Sequence, residues 1–495
     1  MKRINFKSLY FGMASAEHET AYDPERFIRT FYDRWGIKSN LDSPSYFLIV
    51  GPKGVGKSAI SEFTKYSLIR KYGSHAVFTT TLDLDEITPS ISSISAISSK
   101  LVSDESSGVT DSAWRLFIAL RFFDLMIQDQ GCSLNRDAQV IRIGDDLRRS
   151  GLSDSDFPTV LRRVRENKIS LSLKGVATGV FSRKETDDVA VAQLGRALIK
   201  LILNADTQSH FLLSIDGLDR IIGNNPAYWS TLAALLRVSD QLHKSVMSSS
   251  IDLRLLVMCR SDVFRTIKFA DADKIAGDSA LFVDWGAHQT IPSDSHLWDY
   301  VCAKAQIETA ELFSLLPEKV TVGQRGPGKS RNIKIAEYLL QFTRSTPREM
   351  TLLMKRLQEE VPENGYITPE RVRSAVDNFA SRDLLTIINS EATGVIEKEI
   401  HGRFGDIISS LRAATNITID DIKSAVKAAG LDVSDVIDVV EFMFLAGLLG
   451  NYDPATGYVQ FYHRRDTYKV KRSGPWTLHR GLMYAFNVPY SRSVG

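Results

Sequence analysis

The sequence predicts an α/β protein: a parallel sheet with helices on both faces, followed by a helical lid and a C-terminal winged-helix module. Three observations predict it. Tyr46–Val50 is a short apolar run that passes directly into Gly51-Pro52-Lys53-Gly54-Val55-Gly56-Lys57-Ser58, and no glycine or proline follows until Gly73. His75–Leu82 then resumes a strand pattern, so strand, glycine-rich loop, helix and strand form a βαβ unit, which requires parallel strands. The last hundred residues read as three helices and a hairpin, Gly394–Ala413, Thr418–Ala429, Ser434–Ala446 and strands either side of Asp453–Gly457.

Each element follows from its residues. Tyr46–Val50 is β-rich and uniformly apolar, as a strand buried on both faces must be. The helix from about Gly56 to Tyr72 stops at Gly73, which suits a C-cap. Residues 90–112 are rich in serine; Ile87, Ile91, Ile94 and Leu101 recur at helical spacing, and Ser103–Gly108 reads as a loop. Trp114–Gln128 reads as a buried helix. From 132 to 190 the pattern degrades into an insertion, with a small hairpin around Lys174-Gly175. Phe211–Ile215 is a strand ending at Asp216. A helix over Tyr228–Val246 and a strand over Leu253–Met258 follow. The stretch from 290 to 380 reads as mainly helical. The expected domains are a sheet core over 1–270, the lid over 271–385 and the winged-helix module over 386–495.

Composition narrows the function. The 495 residues suit about three domains. Hydrophobic residues at 43% and charged residues at 24% are those of a globular chain. A net charge of +2 argues against a globally basic nucleic-acid coat. Cys132, Cys259 and Cys302 lie far apart without a CxxC pair, which argues against a disulfide framework or zinc ribbon and for a reducing cytoplasm. No stretch approaches the ~20 apolar residues of a membrane helix, and Asn5, Lys7 and Ser8 interrupt any signal-peptide core behind Lys2 and Arg3.

Gly51-x-x-x-x-Gly56-Lys57-Ser58 is the phosphate-loop pattern of P-loop NTPases. Its glycines let successive main-chain N–H groups turn inward around a phosphate, and the helix behind it adds N-terminal donors. Lys57 brings a positive charge to the β and γ phosphates, and the Ser58 hydroxyl is a hard oxygen ligand for Mg²⁺. The predicted nucleotide-binding set runs from Gly51 through Pro52, Lys53, Gly54, Val55, Gly56, Lys57 and Ser58 to Ala59, with ATP and Mg²⁺ as cofactors. Gly323–Ser330 also fits the pattern, but only Val320-Thr321-Val322 precede it, too short and polar for a buried strand, so it reads as a surface loop.

The chemistry also needs a carboxylate for the metal and a group to orient water. Asp216, at the tip of an apolar strand, fits the first role. Gly217 stands where a glutamate is usual, so Asp219 is the candidate base; an ordinary Asp219–Arg220 surface pair is the alternative. Arg260 follows a strand end and can face the nucleotide crevice. Arg265 suits a neighbouring subunit or solvent. Arg348, beside Pro347 at a helix start, either reaches the phosphates or pairs with Glu349.

Phe11-Gly12, Ala16-Glu17-His18-Glu19, the loop at 51–58, Asp216-Gly217-Leu218-Asp219-Arg220, Arg260-Ser261-Asp262 and Thr346-Pro347-Arg348 occur in an order that resembles the STAND, KAP and origin-recognition-like P-loop ATPases. The chain is most similar to bacterial ATPases of that class found in phage-defence loci. The resemblance implies that Phe11–Glu19 borders the adenine, that Arg260 is a first sensor and Arg348 a second. The missing glutamate after Asp216 implies slow hydrolysis, as in a switch. The expected function is an Mg²⁺-dependent ATPase in which nucleotide bridges sheet domain and lid, acting on a protein effector or on itself.

The third helix of the module, Ser434–Phe444, carries three acids and no Lys or Arg, which repels a phosphate-lined groove. A protein partner is therefore expected. A DNA-binding initiator or loader is the alternative, through the basic segment 463–472, where Tyr462, Tyr468 and Trp476 are interleaved as stacking candidates.

Overall fold

The computed structural model describes residues 4–42, 45–84, 106–166, 191–218, 226–267, 269–286, 292–323, 330–362, 366–392, 398–432, 436–464 and 469–489. Asp219 and Arg220, the serine-rich stretch before Ser106, the hairpin around Lys174, residues 324–329 and Tyr468 lie outside them; Ser106–Gly108, read as the end of a loop, instead opens the helix Ser106–Met126. The chain divides into two compact units, one of residues 35–51 and 60–282, the other of 1–34, 52–59 and 283–495.

The first unit is the predicted parallel sheet. Its strands are β1 (Leu48–Val50), β2 (Val77–Asp83), β3 (His210–Leu218), β4 (Asp252–Cys259) and β5 (Ala280–Phe282), in the spatial order β2-β3-β4-β1-β5. Every pairing is parallel. Successive residues from Leu253 to Cys259 are all buried, and successive side chains point to opposite faces, so both faces must be covered. The helix Ser106–Met126 supplies much of that cover through Trp114, Phe117 and Leu120. Trp114 stacks on Phe157 with ring centroids 3.6 Å apart, and its indole N–H donates to the Thr231 carbonyl at 2.9 Å. Phe157 begins the helix Phe157–Glu166, and Ala138–Arg149 is helical before it. The stretch after 132, read as patternless, thus holds two amphipathic helices whose short length and many arginines hid the period.

The helix behind the loop spans Lys57–Tyr72. Gly73 ends it at φ +90°, a conformation costly for any residue with a Cβ. Ser61 hydrogen-bonds Ser214 at 2.7 Å, both buried, which ties this helix to β3. β3 itself does not end at Asp216. It runs to Leu218 through a bulge between Ile215 and Leu218, made possible by Gly217 at φ +83°.

The second unit is largely helical, with two antiparallel additions. β6 (Lys319–Gly323) pairs with β7 (Ser330–Lys334). The stretch judged too short and polar for a buried strand, and read as part of a surface loop, is one arm of a hairpin, and a hairpin is not the strand-loop-helix context a phosphate loop needs. Helices Lys398–Ser409, Ile419–Ala428 and Val436–Leu445 precede β8 (Leu449–Tyr452) and β9 (Val459–Gln460), in the order expected of the C-terminal module. A third strand, β10 (Trp476–Leu478), joins to give the order β10-β8-β9. Trp476 is fully buried there and Tyr462 nearly so; neither can stack on a base, which corrects that part of the reading. No helix among the described residues is long and apolar enough to cross a membrane.

His479, just after β10, is buried with Nδ1 accepting from Gly481 N at 3.2 Å and Nε2 on the Thr343 carbonyl at 3.3 Å. Burial, with the Arg344 charge beside it, pushes its pKa down to about 3. Burial lowers His463 in the same way. An unfolded histidine takes up its proton near pH 6.5, so stability is complete above that value and falls as pH drops below it. For His479 alone the loss at pH 5 is roughly 2 kcal/mol. Melting temperatures at pH 7 and pH 5 should show this slope, and His479→Gln should flatten it.

Candidate functional site

In the sheet unit the candidate residues collect at the C-terminal strand ends, where open α/β sheets bind ligands. Gly51 continues β1, its N–H on the Cys259 carbonyl at 3.2 Å, and its own carbonyl accepts from Ser261 N at 3.3 Å. Asp216 accepts from Gly217 N at 2.8 Å. Asp83, at the end of β2, is the register partner of Asp216. Sequence reasoning passed over Asp83; its signal was a carboxylate ending the second strand of the βαβ unit. Arg260 is held by Asp262 through two hydrogen bonds, Nε–Oδ1 at 3.0 Å and NH2–Oδ2 at 2.6 Å. Arg265 is exposed.

The loop residues Pro52–Ala59 belong to the other unit. Gly54 and Gly56 have φ +79° and +100°, the left-handed region that lets consecutive amides turn toward one centre. The Val55 carbonyl accepts from the Trp285 indole N–H at 2.9 Å, which fixes the middle of the loop. Lys57 is buried with Nζ on the Pro52 carbonyl at 3.1 Å. Lys53 reaches Ser390 Oγ at 3.3 Å. These residues fit a triphosphate: a nest of amides, a lysine folded over it and a helix starting at Lys57.

Arg348 is brought to this loop. A Cβ added at Gly54 would lie 3.5 Å from Arg348 Cβ and 3.6 Å from Thr346 Oγ1. Arg348 Nε donates to the Ala14 carbonyl at 3.1 Å, so the N-terminal segment meets the same place. That segment is fastened by Thr351 Oγ1 to the Phe11 carbonyl at 3.1 Å and by Gln358 Nε2 to the Leu9 carbonyl at 2.8 Å. Glu19 closes it: Oε2 accepts from Met13 N at 3.2 Å, and Oε1 pairs with Lys304 Nζ at 2.5 Å, both side chains buried. Burial lowers the Lys304 pKa against the opposing pull of Glu19.

The turn that carries Arg348 is set by a buried arginine. Arg344 N donates to Glu349 Oε2 at 2.5 Å and its Nε to Glu349 Oε1 at 2.7 Å. Its NH1 reaches Glu391 Oε2 at 2.5 Å and the Ala446 carbonyl at 2.9 Å. Ser345 between them takes φ +59°, and Thr346 caps the helix Pro347–Glu360. Glu349 is thus committed to Arg344, not to Arg348. Sequence reasoning missed Arg344 and Lys304: Glu391 lies 47 residues from Arg344 and Glu19 285 from Lys304, and Glu349, though near Arg344, was read only against Arg348.

No protein-family model matches the chain, and no curated protein matches it in sequence. Solved structures show loose similarity. The Orc1 protein of Aeropyrum pernix in complex with DNA is 9% identical, with 94% of this chain and 95% of that one covered at a TM-score of 0.41. A Walker-type ATPase of Pyrococcus abyssi is 10% identical over 97% and 99%, at 0.36. The Thermotoga maritima RuvB Holliday junction branch migration motor is 11% identical over 94% and 100%, at 0.32. At such values the assignment of the loop rests on its own geometry.

Arg344→Met leaves Glu349 and Glu391 buried without their cation. It should lower the unfolding free energy by roughly 3–5 kcal/mol, read from urea denaturation of the full chain.

Proposed function

We propose that the chain is an ATP-binding, Mg²⁺-dependent P-loop ATPase that works as a slow switch, its nucleotide state passed on to a macromolecular partner. The observation that supports it most is the loop: two glycines in the left-handed region, a buried lysine and a sixteen-residue helix starting at that lysine, directly after the strand flanked by β4 and β5. Main-chain N–H groups from Gly54 to Ser58 take the phosphates. Lys57 leaves the Pro52 carbonyl for a phosphate oxygen, a stronger acceptor. Ser58 and Asp216 are the oxygen donors for Mg²⁺, which when bound neutralises charge on the β and γ oxygens. Asp219 orients the attacking water, with Asp83 the second carboxylate for that task. Arg260 must exchange Asp262 for a phosphate, and Arg348 must exchange the Ala14 carbonyl. Both rearrangements suit a switch that turns over slowly.

The partner is assigned by charge. The solvent face of Val436–Leu445 presents Ile437, Asp438, Glu441 and Leu445, apolar and acidic, which favours a protein. A second reading, an initiator-type ATPase that grips nucleic acid, draws on the exposed Lys469 and Lys471; Arg472 is already paired with Glu441 at 2.9 Å. Neither the fold nor the similar structures speak for a phage-defence setting.

Lys57→Ala should abolish ATP binding in a calorimetric titration, and equal affinity in parent and variant rejects the site. Asp219→Ala should slow phosphate release tenfold or more with little change in ATP affinity. If Asp83→Asn does so instead, the water is oriented from β2. Filter binding of DNA across a salt series separates the partners: a steep linear fall of log affinity counts phosphate contacts, and no retention near physiological salt leaves the protein partner.

A further inference from the structure

A second cleft, of about 540 Å³, lies in the C-terminal half of the chain, and no residue of the phosphate loop or of Phe11–Glu19 lines it. The hairpin β6–β7, the three-stranded sheet and the helix Arg480–Ala485 frame it. Three arginines open onto it, Arg331, Arg464 and Arg480, and no aspartate or glutamate is among its described lining residues. Elsewhere in the chain arginines are matched by carboxylates, as Arg237 is by Asp111, Arg254 by Asp252 and Arg356 by Asp383. Neither Arg331 nor Arg480 forms an ion pair with a described carboxylate; Arg480 instead lies over the Phe342 ring at 5.9 Å. Arg331 and Arg480, cations that line one cleft and pair with no described carboxylate, raise the local potential and favour an anion.

Much of the rest of the lining is planar or apolar, including Tyr452, Phe461, Tyr484, Ile333 and Met483, with Thr415, Thr477 and His479 as polar members. One further polar side chain has an unmet acceptor. Gln341 donates Nε2 to Glu337 at 3.0 Å, while its Oε1 is buried with no hydrogen-bond partner among the described residues. A buried acceptor left in that state asks for a donor. The volume falls in the range of small-molecule sites, about 300–1,000 Å³.

We propose that this cleft is a second ligand site, separate from the phosphate loop, for a small anion carrying a planar ring, of the nucleoside-monophosphate kind. The phosphate meets Arg331 and Arg480, the ring lies against the aromatic wall, and an N–H of the ring satisfies Gln341 Oε1. The site does not depend on what the phosphate loop binds.

The probe is AMP, titrated calorimetrically into the full-length chain. One mole should bind per mole of parent. The double variant Arg331→Ala/Arg480→Ala should weaken it at least tenfold, Arg331→Lys less than Arg331→Ala, and Lys57→Ala not at all. Should the double variant fail to fold, the single Arg331→Glu, at an exposed position, carries the same expectation. Absence of AMP binding to the parent overturns the proposal. So does binding that is lost in Lys57→Ala and kept in the arginine variants, which puts AMP at the phosphate loop. Binding of a single-stranded decanucleotide with none of AMP also overturns it and makes the cleft a strand groove.

Discussion

A guanidinium removed from water must be met on every side, and Arg344 shows what that demand does to the chain around it. Its backbone N–H and side chain both go to Glu349, its outer nitrogens to Glu391 and the Ala446 carbonyl. The cost of leaving any of these groups buried and alone far exceeds that of bending the chain. Ser345 is accordingly driven into the left-handed region, and Thr346 and Arg348 are left facing Gly54. The same cation fixes the helix Leu385–Ala392 and the end of Val436–Leu445. A single buried charge therefore sets both the turn beside the loop and the helices of the C-terminal module.

How much of this was legible depended on the range of the forces involved. The loop was legible because left-handed backbone at Gly54 and Gly56 leaves almost no choice of residue, and because Lys57 and Ser58 are chemically specific. The sheet was legible because strands buried on both faces must be largely apolar, as β1 is and as β4 is from Leu255 onward. Local rules also located Gly73 and the helix start at Pro347. The pairings of Arg344 with Glu391 and of Lys304 with Glu19 left no local trace. Nor did the commitment of Arg260 to Asp262, since a neighbouring acid reads as solvated until burial is known. β10 was missed because three residues behind Pro475 show no period, and the two helices after 132 because each was short.

The charge pattern of the C-terminal module carries a related lesson. An order of helices and strands typical of groove readers is compatible with a helix face that a groove would repel. Ile437, Asp438, Glu441 and Leu445 occupy that face, while Arg331 and Arg480, which pair with no described carboxylate, sit around a different cleft. Architecture located the elements, and only side-chain charge separated what each surface can meet.

The indole of Trp285 is fastened to the Val55 carbonyl in the middle of the phosphate loop, with Tyr32 and Tyr300 packed around it. On the proposed function, a phosphate seated in the loop changes the surroundings of Trp285, and its share of the ultraviolet emission of the chain's six tryptophans changes with them.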